Sequence, residues 1–121
     1  MHELLTGRSV LVVEDEMLVL LMIEDMLADL GCEAIATAAT VNQAIALIEA
    51  QQFDVAMLDM NLNGNKTYEV ADALTARGVP FVFSTGYGSH DLKAGYKDCA
   101  ILTKPFGIRE LAEILARLLA R

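Results

Sequence analysis

Two kinds of apolar pattern alternate along the chain. Short, nearly unbroken apolar runs read as buried strands over Ser9–Glu14, Glu33–Ala38, Asp54–Leu58, Val79–Ser84 and Cys99–Leu102. Between them, apolar residues recur at helical spacing over Met17–Leu30, Val41–Gln51, Tyr68–Arg77 and Ile108–Ala120. The punctuation agrees: Gly31 and Gly78 stand where the first and third helices should stop, and Thr40 stands where the second should be capped. Pro80 falls at the edge of the fourth strand, where a missing donor is tolerated. Gly86–Gly95 carries only a weak signal and reads as a loop around a short or frayed helix.

The order is therefore strand–helix repeated five times, (βα)5. Strands that are apolar on both faces, separated by helices, predict an α/β doubly wound five-stranded parallel sheet with helices on both faces. A closed eight-stranded barrel needs about twice this length. The 121 residues make one domain, 1–121, and a 55% hydrophobic content supports a folded core. A net charge of −8 with no basic stripe argues against nucleic acid as a partner. The first residues, MHELLTGR, lack the layout of a signal peptide, and the apolar run Met17–Ile23 is far short of the roughly 20 residues that span a bilayer. Cys32 and Cys99 are read as reduced core or near-core residues, His2 and His90 as exposed, and no zinc-binding spacing occurs. A cytoplasmic protein with no membrane contact is expected.

In an open parallel sheet, ligands bind beyond the C-terminal strand ends. Those ends deliver Glu14 and Asp15 after the first strand, Asp59 after the third, Ser84 and Thr85 after the fourth, and Thr103 and Lys104 after the fifth. No glycine-rich phosphate loop follows the first strand, which disfavours a dinucleotide site. Carboxylates crowded this closely repel one another unless something compensates them. A hard divalent cation such as Mg²⁺ would do so, since it takes oxygen ligands, keeps several waters and shares its remaining positions with phosphate.

The set VVEDE, MLDMNLNG, FSTG and TKPF, in this order on this alternation, resembles the receiver domain of two-component response regulators over essentially the whole chain. The resemblance implies the flavodoxin-like receiver fold and a phosphoacceptor rather than a turnover enzyme. Asp59 would be the phospho-acceptor. Asp15 and Asp59 would bind Mg²⁺ directly, Glu14 through one of the ion's waters, and Asn61 through its backbone carbonyl. Thr85 and Lys104 would contact the incoming phosphoryl group, and Lys104–Pro105 resembles the family's cis peptide. The chemistry is consistent, because phosphoryl transfer asks mainly for positioning and charge neutralisation.

Two residues depart from the family pattern. Asn63 replaces a common Pro before Gly64, so a more mobile loop after Asp59 is expected. Ile101 stands where many receivers carry Tyr or Phe, which leaves Tyr87 in STGYGS as the candidate for a moving ring. FSTGYG resembles a subgroup of receivers found mainly in alphaproteobacteria. Because the last helix is followed only by Arg121, a stand-alone receiver with output through a partner surface is expected. Its partners would be a histidine kinase or histidine phosphotransferase and an unidentified downstream protein, with homodimer formation left open. The first helix would present its core stripe as Val19, Met22, Ile23, Met26, Leu27 and Leu30, leaving Met17, Leu18, Leu20 and Leu21 for the kinase. The alternatives are a receiver-like scaffold or phosphate sink that works without a switch, and a Mg²⁺-dependent aspartyl-phosphate phosphatase. The second of these is disfavoured because Glu14-Asp15-Glu16 replaces that class's DxDx(T/V).

Overall fold

A computed structural model describes residues 3–86 and 92–120. His2, Tyr87 and His90, and with them the expectations attached to these residues, lie outside the described residues. The elements run β1 (Ser9–Val13), α1 (Met17–Asp29), β2 (Ala34–Ala38), α2 (Val41–Ala50), β3 (Val55–Asp59), β4 (Asn61–Leu62), β5 (Asn65–Lys66), α3 (Tyr68–Ala76), β6 (Phe81–Thr85), β7 (Ala100–Thr103) and α4 (Ile108–Leu119). Five strands form one parallel sheet in the order β2-β1-β3-β6-β7. Each expected strand and helix is present to within one or two residues, and among the described residues 92–99 form turns rather than a helix.

The strands are unbroken apolar runs because both of their faces are covered. Val10, Val12, Met57 and Val82 point to one side, where they pack against Ile23 and Leu27 of α1 and Leu111, Leu115 and Leu118 of α4. Leu11, Val13, Ala56, Leu58 and Phe83 point to the other, against Ala44 and Ile48 of α2 and Val70, Ala71 and Leu74 of α3. Helix ends are set locally. Thr40 Oγ1 accepts from the Gln43 N–H at 3.1 Å, while Gln43 Oε1 accepts from the Ala39 N–H at 2.8 Å, a reciprocal cap on α2. Gly31 closes α1 at φ 92°, in the left-handed region where glycine carries no Cβ penalty.

Helix α1 corrects the expected stripe. Ile23, Leu27 and Leu30 are buried, and Val19, Leu20 and Met26 pack on the core beside them. Met22 is instead 49% exposed and joins Met17 (67%), Leu18 (80%) and Leu21 (51%) on the outer side. Every residue from 17 to 23 is apolar, so periodicity alone could not choose the inner face. Leu20 lies one turn before Ile23 and two before Leu27, which puts it on the buried stripe, while Met22 follows Leu18 on the flank.

Candidate functional site

The chain passes from β1 outward to β2 on one side and then returns to β3 on the other, so the strand order reverses between β1 and β3. That switch point opens a crevice at the C-terminal strand ends. Glu14, the residue after β1, is held by its own N–H donating to the Ala38 carbonyl at 2.9 Å. Its carboxylate is 1% exposed; one oxygen accepts from the Glu16 N–H at 3.1 Å and the other lies 3.2 Å from Lys104 Nζ. Asp59 ends β3 and is also buried, with Oδ2 3.3 Å from the same ammonium and Oδ1 accepting from the Asn61 N–H at 3.3 Å. Thr67 Oγ1 donates to the Asp59 carbonyl at 2.8 Å, and both groups are buried. Asp15 is half-buried, its Oδ2 accepting from the Asn63 N–H at 3.1 Å.

Lys104 reaches the acids from the end of β7. Its N–H donates to the Thr85 carbonyl at 2.8 Å, which ties the ends of β6 and β7, and the Lys104–Pro105 peptide is cis, as the resemblance implied. Asp15, Asp59, Asn61, Thr85 and Lys104 line one cleft of about 420 Å³, with Glu14 bonded to the lysine. Each residue proposed from sequence is therefore at this site. A larger cavity of about 540 Å³ lies at the opposite end of the sheet between Arg8, Asp54, Phe81 and Cys99. It lacks any clustered set of acids among the described residues, so chemistry rather than size marks the functional cleft.

The electrostatics follow from burial. Burial drives the Glu14 pKa up to about 6, with Asp59 adding to the rise, while the Glu16 N–H and Lys104 partly offset it. For Lys104 burial opposes the charged form, but Asp59 and then Glu14 outweigh it and the ammonium is held above its ordinary range. Glu14, Asp15 and Asp59 each offer an oxygen, and these oxygens all lie within 4.8 Å of one another. An oxygen-only donor set beside a bound ammonium is chemistry that fits a small hard cation.

Two features were not read from sequence. The loop after Asp59 is a two-stranded hairpin, β4–β5, turned by Asn63 (φ 51°) and Gly64 (φ 88°). Two successive positive φ values make the turn that Asn-Gly favours, and Asn63 supplies an N–H to Asp15 that Pro lacks. The Asn-Gly pair was the available signal. The hairpin also brings Lys66 to the cleft. On the far side of β6, Ile101 packs in the α2–α3 core. Nearby aromatic contact comes from Tyr68, stacked on Tyr96 with centroids 4.5 Å apart and edge-on to Phe83 at 6.0 Å.

Residues 10–116 match the response regulator receiver domain, and the chain belongs to that family. It is 42% identical to SdrG from Sphingomonas melonis Fr1, whose solution structure superposes with a TM-score of 0.82 over 96% of this chain and 98% of that one. SdrG has also been solved in a BeF3-activated conformation, 41% identical with a TM-score of 0.80 over 92% of this chain and 95% of that one. The receiver domain of sensor histidine kinase PA1611 from Pseudomonas aeruginosa PAO1 holds magnesium in its active-site cleft. It is 28% identical, with a TM-score of 0.79 over 94% of this chain and 98% of that one. The transcriptional regulatory protein PdtaR of Mycobacterium tuberculosis is 29% identical across 86% of this chain and 53% of its own length. The chain spans about half the length of the curated relatives it matches. It is a receiver domain of two-component signalling, a phosphoacceptor class rather than a turnover enzyme. No helix among the described residues is long and apolar enough to cross a membrane.

Proposed function

We propose that this receiver accepts a phosphoryl group on Asp59 from a phosphohistidine of a kinase or phosphotransferase in the cytoplasm, and signals through protein contacts. The observation that carries this is the Asp59 carboxylate at the switch-point cleft, fixed by the Asn61 N–H at 3.3 Å and the Lys104 ammonium at 3.3 Å. In the transfer, an Asp59 carboxylate oxygen attacks phosphorus, a P–O bond forms, the donor's P–N bond breaks, and the imidazole leaves and takes up a proton. Lys104 would offset charge on the phosphoryl oxygens, and Thr85, which ends β6 and lines the same cleft, would contact the phosphoryl group. Asp15, Asp59, Glu14 and the Asn61 carbonyl would hold Mg²⁺, which supplies charge neutralisation for the transferring group. Lys104 Nζ lies 3.2 Å from Glu14 Oε1 and 3.3 Å from Asp59 Oδ2, bridging the two acids.

The donor would dock on the outer side of α1, where Met17, Leu18, Leu21 and Met22 form an exposed apolar strip beginning one residue after Glu16 at the cleft rim. Leu20, expected there, packs inward. The test is intact mass after incubation with acetyl phosphate and Mg²⁺. One phosphoryl group should add to the protein and none to Asp59→Asn; an unmodified parent protein would favour the scaffold reading.

A further inference from the structure

We propose that Lys66 is a second cation of the phosphoryl-transfer cleft, drawing in the anionic phosphodonor and setting the rate at which Asp59 is modified. The inference rests on the reading of Asp59 as acceptor. It begins with the hairpin register, which pairs Asn61 with Lys66 and Leu62 with Asn65. Successive side chains of a strand point to opposite faces. Leu62 is 2% exposed and locked into the core between the sheet and α2–α3, so its face of the hairpin is fixed. The alternate face, carrying Asn61 and Lys66 directly across from each other, must then turn to the cleft, and both residues line it. Cross-strand partners of this kind have Cβ atoms about 5 Å apart. Asn61 is also the residue whose N–H holds Asp59 Oδ1. The turn thus places Lys66 on the lining of the acceptor's cleft, where that cleft adjoins a second cavity lined by Thr40, Asn65 and Glu69.

The charge balance gives that ammonium a task. Asp15, Glu16 and Asp59 line the cleft, and Glu14 is bonded behind them, in a chain of net charge −8. A phosphodonor is itself an anion and approaches against this field. Lys104 is already engaged by Glu14 and Asp59. Lys66 is exposed and, among the described residues, makes no ion pair. A cation at the mouth of an acidic cleft raises the local concentration of an anionic reactant, and its influence falls with ionic strength. The same charge repels a metal cation, so Lys66 should act on donor and metal with opposite signs.

That opposition supplies the test. Lys66→Met keeps the aliphatic stem and removes the charge. At low ionic strength its labelling by acetyl phosphate at saturating Mg²⁺ should slow roughly three- to tenfold, and the gap should narrow in high salt. Lys66→Arg should stay close to the parent protein, and Lys66→Glu should be slower than Lys66→Met. Mg²⁺ affinity, measured by calorimetry without donor, should rise about two- to threefold in Lys66→Met. Labelling of Lys66→Met within about twofold of the parent rate at low salt would overturn the proposal. So would slowing that is equal at all salt concentrations with Mg²⁺ affinity unchanged or weakened, because a hairpin defect behaves that way. A parent protein that takes no label would instead defeat the reading of Asp59.

Discussion

Glu14→Gln should stabilise the metal-free protein, and by an amount that depends on pH in a defined way. The Glu14 carboxyl is 1% exposed, and burial followed by the Asp59 charge raises its pKa from 4.5 to about 6, net of the relief given by the Glu16 N–H and Lys104. A folded pKa above the unfolded one means the native state binds the proton more tightly. The native state therefore loses stability as pH rises from 4.5 through about 6. A rise of about 1.5 units at 1.36 kcal/mol each corresponds to about 2 kcal/mol of destabilisation once the group is ionised. Gln keeps the volume and carries no charge, and its single carbonyl oxygen can accept from Lys104 or from the Glu16 N–H but not from both. Chelator-treated Glu14→Gln should then unfold about 2 kcal/mol later than the parent protein at pH 7.5, roughly 6–8 °C in Tm for a domain of this size. Below about pH 4.5 the difference should vanish, since both side chains are neutral. Denaturant melts across this range provide the assay. A variant less stable at pH 7.5, or a gap independent of pH, would refute the argument that the acid cluster is held at a cost. Added Mg²⁺ should stabilise the parent protein more than the variant, because the variant lacks one charge facing the ion.

Asp15→Asn should lower Mg²⁺ affinity at least about tenfold by calorimetry, since it removes a charged oxygen from the cluster, whereas Thr85→Ala should leave it within about twofold. Equal losses would contradict the division of roles between them. Leu18→Glu combined with Leu21→Glu should impair transfer from the cognate kinase yet leave labelling by acetyl phosphate intact; a parallel fall in a folded variant would make the strip structural. Tyr68→Phe removes the hydroxyl that accepts the Lys93 N–H at 3.0 Å and should cost about 1 kcal/mol in chemical denaturation, with unchanged Mg²⁺ affinity.

The sheet and its acids were legible in the sequence because β1, β3 and β6 are buried on both faces. Such strands must be continuous apolar runs, and their polar ends then mark the crevice. Glu14, Asp15, Asp59, Thr85 and Lys104 all follow from that rule together with the resemblance. Hairpin β4–β5 was not legible, because strands of two residues are too short to show alternation. Its Asn63-Gly64 turn is the one usable signal, and it is masked by standing where the family often carries Pro before Gly. Lys66 was missed for the same reason: its side faces the cleft only because Leu62 is anchored on the other. Helix α1 shows another limit, since seven successive apolar residues contain no periodicity, and the packing of α4 and the sheet decided that Leu20 turns inward and Met22 outward.

Asp59, held between the Asn61 N–H and Lys104, is proposed as the nucleophile that attacks phosphorus. Borohydride reduction of the acetyl-phosphate-treated protein, followed by peptide mass mapping, tests it most directly, because an acyl phosphate is reduced to the alcohol where it forms. Homoserine at position 59, dependent on Mg²⁺ and absent without donor, is the expected product. Reduction at Glu14 or Asp15, or an unreduced Asp59 in protein that carries phosphate, would contradict it.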